Sequence, residues 1–242
     1  MTLLKETENI INKYKNEEYY VAYLDFLGTK QIVNNDTTGK YLNDLNIIFR
    51  KSLEEKEYLN LYMSQNNKIF SKIFSDNILL AMLADKYNYG LNQLINLCSL
   101  IQNYALMEGY LIRGAIVIGK FYHDDVFVYG KALIDAERLE RENAIYPRII
   151  IRDRDAKNII INYLERDRDS FLFVNNYNFT SDYIQHKQLK DKLIEYYYKY
   201  KNDDKIRQKI IWSICYHNAY LKKLKNYTIS SRPLITNEEL SK

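Results

Sequence analysis

The chain has 242 residues, of which 47% are hydrophobic and 27% are charged, and its formal net charge is +4. That composition is ordinary for a globular protein with one sizeable core, and the charge is too small to indicate nucleic-acid binding. The N-terminal pattern is not that of a signal peptide, and no apolar run approaches the roughly 20 residues that cross a bilayer. Cys98 and Cys215 lie in apolar helical segments without partner histidines, so we expect buried, reduced thiols and a cytoplasmic location.

The first predicted strand, residues 19–24, is a run of β-branched and aromatic residues that follows a predicted helix at residues 2–16. Asp25 comes directly after this strand, and Gly28 ends the segment. The further predicted elements, in chain order, are a helix from Gly28, a helix at 41–58, a hairpin at 69–83, a helix at 88–108, strands at 110–119 and 126–129, a helix at 130–143, a strand at 148–151, a helix at 155–165, a strand at 171–174, and helices at 181–200 and 203–225.

This order of strands and helices predicts an α+β fold. Two strand–helix–strand units around a shared sheet form the ferredoxin-like, palm-type motif, with a mostly antiparallel sheet and helices on one face. We expect residues 1–180 to form this domain and residues 181–242 to be a helical extension packed on it.

Two carboxylates stand out because each one ends an apolar strand segment. Asp25 follows the first strand, and Asp76 lies at the tip of the hairpin, in Ser75-Asp76-Asn77. In a ferredoxin-like sheet the first strand lies beside the hairpin, so the two acids would be close and would repel each other unless a cation lay between them. Mg²⁺ and Mn²⁺ take carboxylate oxygens together with substrate phosphates. The residues leave a second interpretation open, in which Asp25 caps a helix and Asp76 serves a turn.

Four segments of the chain carry a resemblance to a known family. They are Tyr23-Leu24-Asp25-Phe26-Leu27-Gly28, Lys72-Ile73-Phe74-Ser75-Asp76, Arg113-Gly114-Ala115-Ile116-Val117-Ile118-Gly119, and GKALIDAERLE from Gly130 to Glu140. Each motif is weak by itself, but the four occur in the same order as in the class III nucleotidyl cyclases. Over about residues 19–152 the chain therefore resembles the adenylate and guanylate cyclase catalytic domain.

The resemblance implies a lyase that converts a nucleoside triphosphate into a 3′,5′-cyclic mononucleotide and pyrophosphate. It further implies that Asp25, Asp76 and the carbonyl of Phe26 hold two Mg²⁺ or Mn²⁺ ions. Lys72 would contact the base, and Arg138 of a second subunit would stabilise charge on the α-phosphate. The resemblance also implies a homodimer with its active sites at the interface between the subunits. We expect no nucleic-acid partner and no membrane partner.

Two positions depart from the family pattern. Ile134 stands where the family has a transition-state asparagine, and Phe127 stands where an acid helps to recognise adenine. These departures fit a divergent cyclase, such as the bacterial pyrimidine cyclases of antiphage defence. They also fit a catalytically inactive, cyclase-like module that dimerises and binds nucleotide as a regulator. A polymerase-type palm is disfavoured because the hairpin tip lacks paired aspartates.

Two arginines add further open choices. Arg113 lies in an apolar strand, where it would either contact a triphosphate or form a structural ion pair with a helix acid. The second interpretation is the one favoured by the residues. Arg148 lies at the entry of another strand, and the residues leave two interpretations open, phosphate binding and an ordinary structural role.

Overall fold

A computed structural model describes residues 3–64, 67–156, 163–177, 183–224 and 232–241. The strands are β1 (Tyr19–Phe26), β2 (Phe70–Phe74), β3 (Asn77–Leu83), β4 (Ile112–Gly119), β5 (Tyr122–His123), β6 (Val128–Tyr129), β7 (Ile149–Ile151), β8 (Leu164–Arg166) and β9 (Leu172–Val174). The helices are α1 (Leu3–Asn16), α2 (Thr29–Asn35), α3 (Lys40–Leu61), α4 (Tyr89–Glu108), α5 (Lys131–Asn143), α6 (Tyr183–Lys199), α7 (Asp204–Lys223) and α8 (Asn237–Leu240).

One mixed sheet organises the fold, with the strand order β2-β3-β1-β4-β7-β9-β8. Strand β1 lies between β3 and β4 and is antiparallel to both. The only parallel neighbours among the described strands are β4 and β7, and β5 pairs with β6 in a separate hairpin. The first four strands, with α3 and α4 as their connections, have the ferredoxin-like order. The predicted α+β class and mostly antiparallel sheet are confirmed.

The helices cover both faces of the sheet, so the predicted placement on one face is wrong. Ala22 and Leu24 of β1 belong to the core formed with α3 and α4, whereas Val21 belongs to the core formed with α5. Successive side chains of a strand point to opposite faces. The unbroken apolar run of β1 reflects this burial on both sides.

The C-terminal helices α6 and α7 form a third core against the end of α4 and the start of β4. Leu193 of α6 and Ile214 of α7 pack there with Leu106 and Leu111. The last described residues are held by α8, whose Glu239 pairs with Lys190 at 2.7 Å. The boundary near residue 181 stays a prediction.

Two local predictions are wrong. The helix predicted for 155–165 falls partly outside the described residues, and Leu164–Arg166 is a strand that pairs with β9. Pairing with β9 thus overrides the helical spacing of this segment. Arg166 also forms an ion pair with Asp153 at 2.7 Å. Cys98 is buried as predicted, but Cys215 is exposed because it lies on the outer side of α7. No helix in the described part of the chain could span a membrane.

Candidate active site

The end of β1 and the tip of the β2–β3 hairpin lie side by side. Asp25 is in register with Asn77, the first residue of β3, and the backbone N–H of Phe26 donates to the carbonyl of Asp76 at 3.3 Å. Ser75 has a φ of 56°, which allows the tight turn that presents Asp76. Antiparallel pairing therefore brings the two predicted acids to one edge of the sheet.

A cavity of about 590 Å³ lies at this edge. Asp25, Phe26 and Asp76 line it together with residues of α2 and the turn before it. Helix α2 begins directly after Gly28, whose φ of 82° is in the left-handed region. The short connection between β1 and α2 thus lines the same cavity as the two carboxylates.

Arg113 holds the carboxylate of Asp25 from the neighbouring strand. Its Nε and Nη2 each lie 3.3 Å from Oδ2 of Asp25, and its Nε lies 2.5 Å from Oε1 of Glu140 on α5. The favoured prediction of a structural ion pair with a helix acid agrees with this contact. The additional contact with Asp25 was not foreseen, because only the sheet register places Arg113 opposite Asp25.

One arginine shared by two acids leaves this group of side chains with excess negative charge. Burial raises the pKa of Asp25, with a further increase from Asp76 and a decrease from Arg113. Burial likewise raises the pKa of Glu140 to about 7, with Arg113 opposing this and Asp25 reinforcing it. A further positive charge beside these carboxylates would therefore stabilise their ionised forms.

A lysine of the C-terminal helices also acts on this group. Burial lowers the pKa of Lys209 on α7, and the nearby Arg113 lowers it further while Asp25 raises it. Sequence reasoning missed this residue. Its position in an amphipathic helix, far along the chain from the other residues, carries no sequence signal of a contact with the site.

The donor set at the edge suits a hard divalent cation. Within the described residues no three Asp, Glu, His or Cys side chains form a metal-binding group, and Asp25 and Asp76 are the acidic side chains that line this cavity. The carbonyl of Phe26 accepts a hydrogen bond from the hydroxyl of Thr29 at 3.0 Å and retains a second lone pair. Among the described residues, none donates to Oδ1 of Asp25. Mg²⁺ is commonly bound by one or two carboxylates plus phosphates and water, so these residues fit it.

The other predicted site residues lie outside this cavity. Lys72 is exposed on β2, opposite Leu79. Arg138 is exposed on α5 and pairs with Asp135 at 2.9 Å. Within a single chain the structure thus does not bring Arg138 to the carboxylates, and its predicted action from a second subunit stays a prediction.

The two departures from the family pattern are both at the surface. Ile134 is 62% exposed on α5, and Phe127 is 45% exposed beside β6. Arg148, by contrast, is buried and forms ion pairs with Asp167 and Asp169. Its open interpretation is thus resolved in favour of a structural role.

Comparison with known proteins identifies the fold. No protein-family model and no curated protein matches the chain. Among solved structures, it is similar to the guanylate cyclase domain of RhGC from Catenaria anguillulae in complex with GTP, at 14% identity and a TM-score of 0.50, over 66% of this chain and 96% of that one. It is also similar to the adenylyl cyclase CyaB from P. aeruginosa, at 14% identity and a TM-score of 0.48, over 66% of this chain and 94% of that one.

The similarity to RhGC shows that this chain has the fold of nucleotidyl cyclase catalytic domains. At this level of identity the similarity establishes the fold and leaves the activity to the residues of the site.

Proposed function

We propose that this protein is a metal-dependent nucleotidyl cyclase that converts a nucleoside triphosphate into a 3′,5′-cyclic mononucleotide and pyrophosphate. The observation that carries the proposal is the meeting of Asp25, Asp76 and the Phe26 carbonyl at one cavity, in a chain with the cyclase fold. A turn or a helix cap alone does not require both carboxylates to line the same cavity.

The residues divide the work of the reaction. Asp25, Asp76 and the Phe26 carbonyl would hold Mg²⁺ or Mn²⁺, which when bound activates the 3′-hydroxyl and neutralises the triphosphate. Arg113 keeps the carboxylate of Asp25 in place through Oδ2, and no donor among the described residues occupies Oδ1. The 3′-oxygen forms a bond to the α-phosphorus, the bond to the β-phosphate oxygen breaks, and the hydroxyl proton passes to water.

We propose a homodimer in which Arg138 of one subunit completes the site of the other. This is supported by the exposure of Arg138, by its position outside the cavity that Asp25 and Asp76 line, and by exposed apolar side chains on α5 and on the segment before it. Val126, Tyr129 and Ile134 are each more than half exposed on the β5–β6 hairpin and on α5. Exposed apolar patches of this kind are typical of interaction surfaces.

We also propose a pyrimidine base and a role of the product in antiphage signalling. The support is the resemblance to divergent cyclases and the replacement of an adenine-recognising acid by Phe127. A phenylalanine cannot accept a hydrogen bond from an exocyclic amine, so it removes a source of selectivity for adenine.

The second candidate function is an inactive, cyclase-like module that dimerises and binds nucleotide as a regulator. The observation that favours it is Ile134, because an isoleucine at the asparagine position cannot donate a hydrogen bond to the transition state.

The test is incubation of the purified protein with Mn²⁺ and each of ATP, GTP, CTP and UTP, with products identified by mass spectrometry. Asp25→Asn and Asp76→Asn keep the side-chain shape and remove the charge, and Asp191→Asn on the exposed surface of α6 is the matched control. We expect a cyclic mononucleotide from the parent and the control, and none from the two site variants. Nucleotide binding without any product would favour the regulatory module.

A further inference from the structure

A second cavity lies on the other side of α2, between the cyclase-like sheet and the C-terminal helices. Its volume is about 580 Å³, within the range of small-molecule sites. Its walls are α2, the start of α3, the turn at Gly109 between α4 and β4, helix α6 and the first two turns of α7. We call it the α2–α6 pocket.

Tyrosine rings form much of its lining. Tyr196 and Tyr200 are stacked with their centroids 5.7 Å apart, and Tyr41 lies 5.1 Å from Tyr110. The Tyr196 ring rests on Gly109, where a Cβ atom would come within 3.1 Å of the ring and where φ is 91°. The close fit of ring and backbone keeps this wall in place, and the partly exposed rings of Tyr200 and Tyr110 are the aromatic surfaces available for stacking.

The carboxylates that line the pocket are already engaged. Asp36 accepts hydrogen bonds from the backbone N–H groups of Lys40 and Tyr41, each at 2.9 Å. Glu195 pairs with Lys192 at 3.0 Å. Glu108 lies 3.7 Å from Lys51.

Two of the lining lysines have no such partner. Among the described residues, no carboxylate lies within ion-pair distance of Lys199 or Lys209. Lys199 lies over the rings of Tyr200 and Tyr196, at 5.1 and 6.0 Å. Lys209 is partly buried, and burial together with the charge of Arg113 lowers its pKa. The pocket therefore combines aromatic walls with two ammonium groups that a negative group would stabilise.

We propose that the α2–α6 pocket binds a small anion that carries a planar ring. The ring stacks on the tyrosines, and the negative group binds Lys199 and Lys209. Nucleotides and aromatic carboxylates share this chemistry. The inference does not rest on the proposed cyclase reaction, because neither Asp25 nor Asp76 lines this pocket, although the charge of Lys209 also acts on Asp25.

The pocket nevertheless shares a wall with the candidate active site. Gly28, Gln31 and Asn35 line both cavities. A ligand in the α2–α6 pocket thus touches a segment that also lines the cavity of the two carboxylates.

The test uses two fluorescent probes with nearly the same rings, titrated into the full-length protein in the presence of a chelator. 8-Anilinonaphthalene-1-sulfonate carries a negative charge, and N-phenyl-1-naphthylamine carries none. We expect the anionic probe to bind, and the double variant Lys199→Gln/Lys209→Gln to lose roughly tenfold or more of that affinity while binding of the neutral probe is unchanged. Lys201→Gln, at a nearby exposed position outside the pocket, is the control and should leave both affinities unchanged.

Several results would overturn the proposal. The first is a double variant that binds the anionic probe within twofold of the parent's affinity. The second is a double variant that loses affinity for the anionic and the neutral probe to the same extent. The third is a Lys201→Gln control that loses as much affinity for the anionic probe as the double variant does. Competition then identifies the source of the anion. Displacement by cytidine monophosphate indicates a nucleotide, displacement by 4-hydroxybenzoate indicates an aromatic carboxylate, and displacement by neither overturns the assignment.

Discussion

Arg113 lies directly opposite Asp25 on the neighbouring strand, and its guanidinium contacts the Asp25 carboxylate through Oδ2, at 3.3 Å. The same guanidinium lies 2.5 Å from the buried carboxylate of Glu140. A single cation therefore joins the strand that carries a candidate metal ligand to the helix that covers it. Stability, pH dependence and metal binding are thus expected to be linked through this group.

Removing the arginine should destabilise the protein. In Arg113→Gln, Glu140 and Asp25 lose their shared cation, and leaving buried charge unpaired costs about 3 kcal/mol of the free energy of unfolding. Urea unfolding at pH 7.5 measures this. Arg141→Gln, which breaks the exposed pair with Glu137, is the control and should change the free energy by about 0.5 kcal/mol or less. Equal effects of the two substitutions would show that Arg113 has no special structural role.

Glu140 should make the protein less stable as pH rises. Its pKa in the folded state is about 7, above the ordinary value of 4.5, so the folded state binds the proton more tightly than the unfolded chain. The stabilisation is fully present below about pH 4.5 and is lost as pH rises to about 7. Glu140→Gln should remove this loss, which is on the order of 3 kcal/mol. Urea unfolding at pH 5 and pH 7.5 measures the free energy of unfolding of the parent and the variant. A variant that loses as much of this free energy between the two pH values as the parent does would contradict the prediction.

His217 should act in the opposite direction over an overlapping range. Burial lowers its pKa to about 4, and its ring contacts the Tyr177 hydroxyl and the Pro233 carbonyl, each at 3.0 Å. The neutral ring is favoured, so stability falls as pH decreases from about 6.5 to about 4. His217→Gln should flatten this acid limb in thermal unfolding between pH 4 and 7. The double variant Glu140→Gln/His217→Gln separates the two contributions, and a retained acid limb in His217→Gln would refute this assignment.

Mn²⁺ should stabilise the folded protein without any nucleotide. A cation at Asp25 and Asp76 relieves their repulsion, and binding to the folded state at about 100 times Kd contributes about 2.7 kcal/mol, or roughly 5–10 °C in Tm. Calorimetry of the parent, Asp25→Asn and Asp191→Asn proteins measures this. The shift should vanish only in Asp25→Asn. A shift of the same size in all three proteins would place the bound metal elsewhere.

The exposed apolar side chains near α5 should mediate dimer formation. Ile134→Glu puts a charge on the proposed interface and should increase the dimer dissociation constant at least tenfold in sedimentation analysis. Ile184→Glu on α6 changes a side chain of similar exposure away from this surface and serves as the control. A monomeric parent protein, or a dimer indifferent to Ile134→Glu, would remove the support for a shared active site.

The sequence alone was sufficient to predict the main strands and the acids near their ends, although β1 extends past the predicted end at residue 24 and includes Asp25. Apolar runs that end in Asp25 and Asp76, and helices with periodic apolar faces, depend on local patterns, so the α+β class and the candidate acids were predictable. The interpretation of Arg113 as an ion-paired residue followed from the cost of burying a lone charge.

Only the tertiary structure decided which residues meet across long sequence separations. The register of β1 with β4 places Arg113 on Asp25, and the packing of α7 brings Lys209 close to both. The strand at Leu164–Arg166 and the coverage of both sheet faces likewise depend on partners that are distant in the chain. Such contacts are set by the packing of whole elements, which no local pattern of residues encodes.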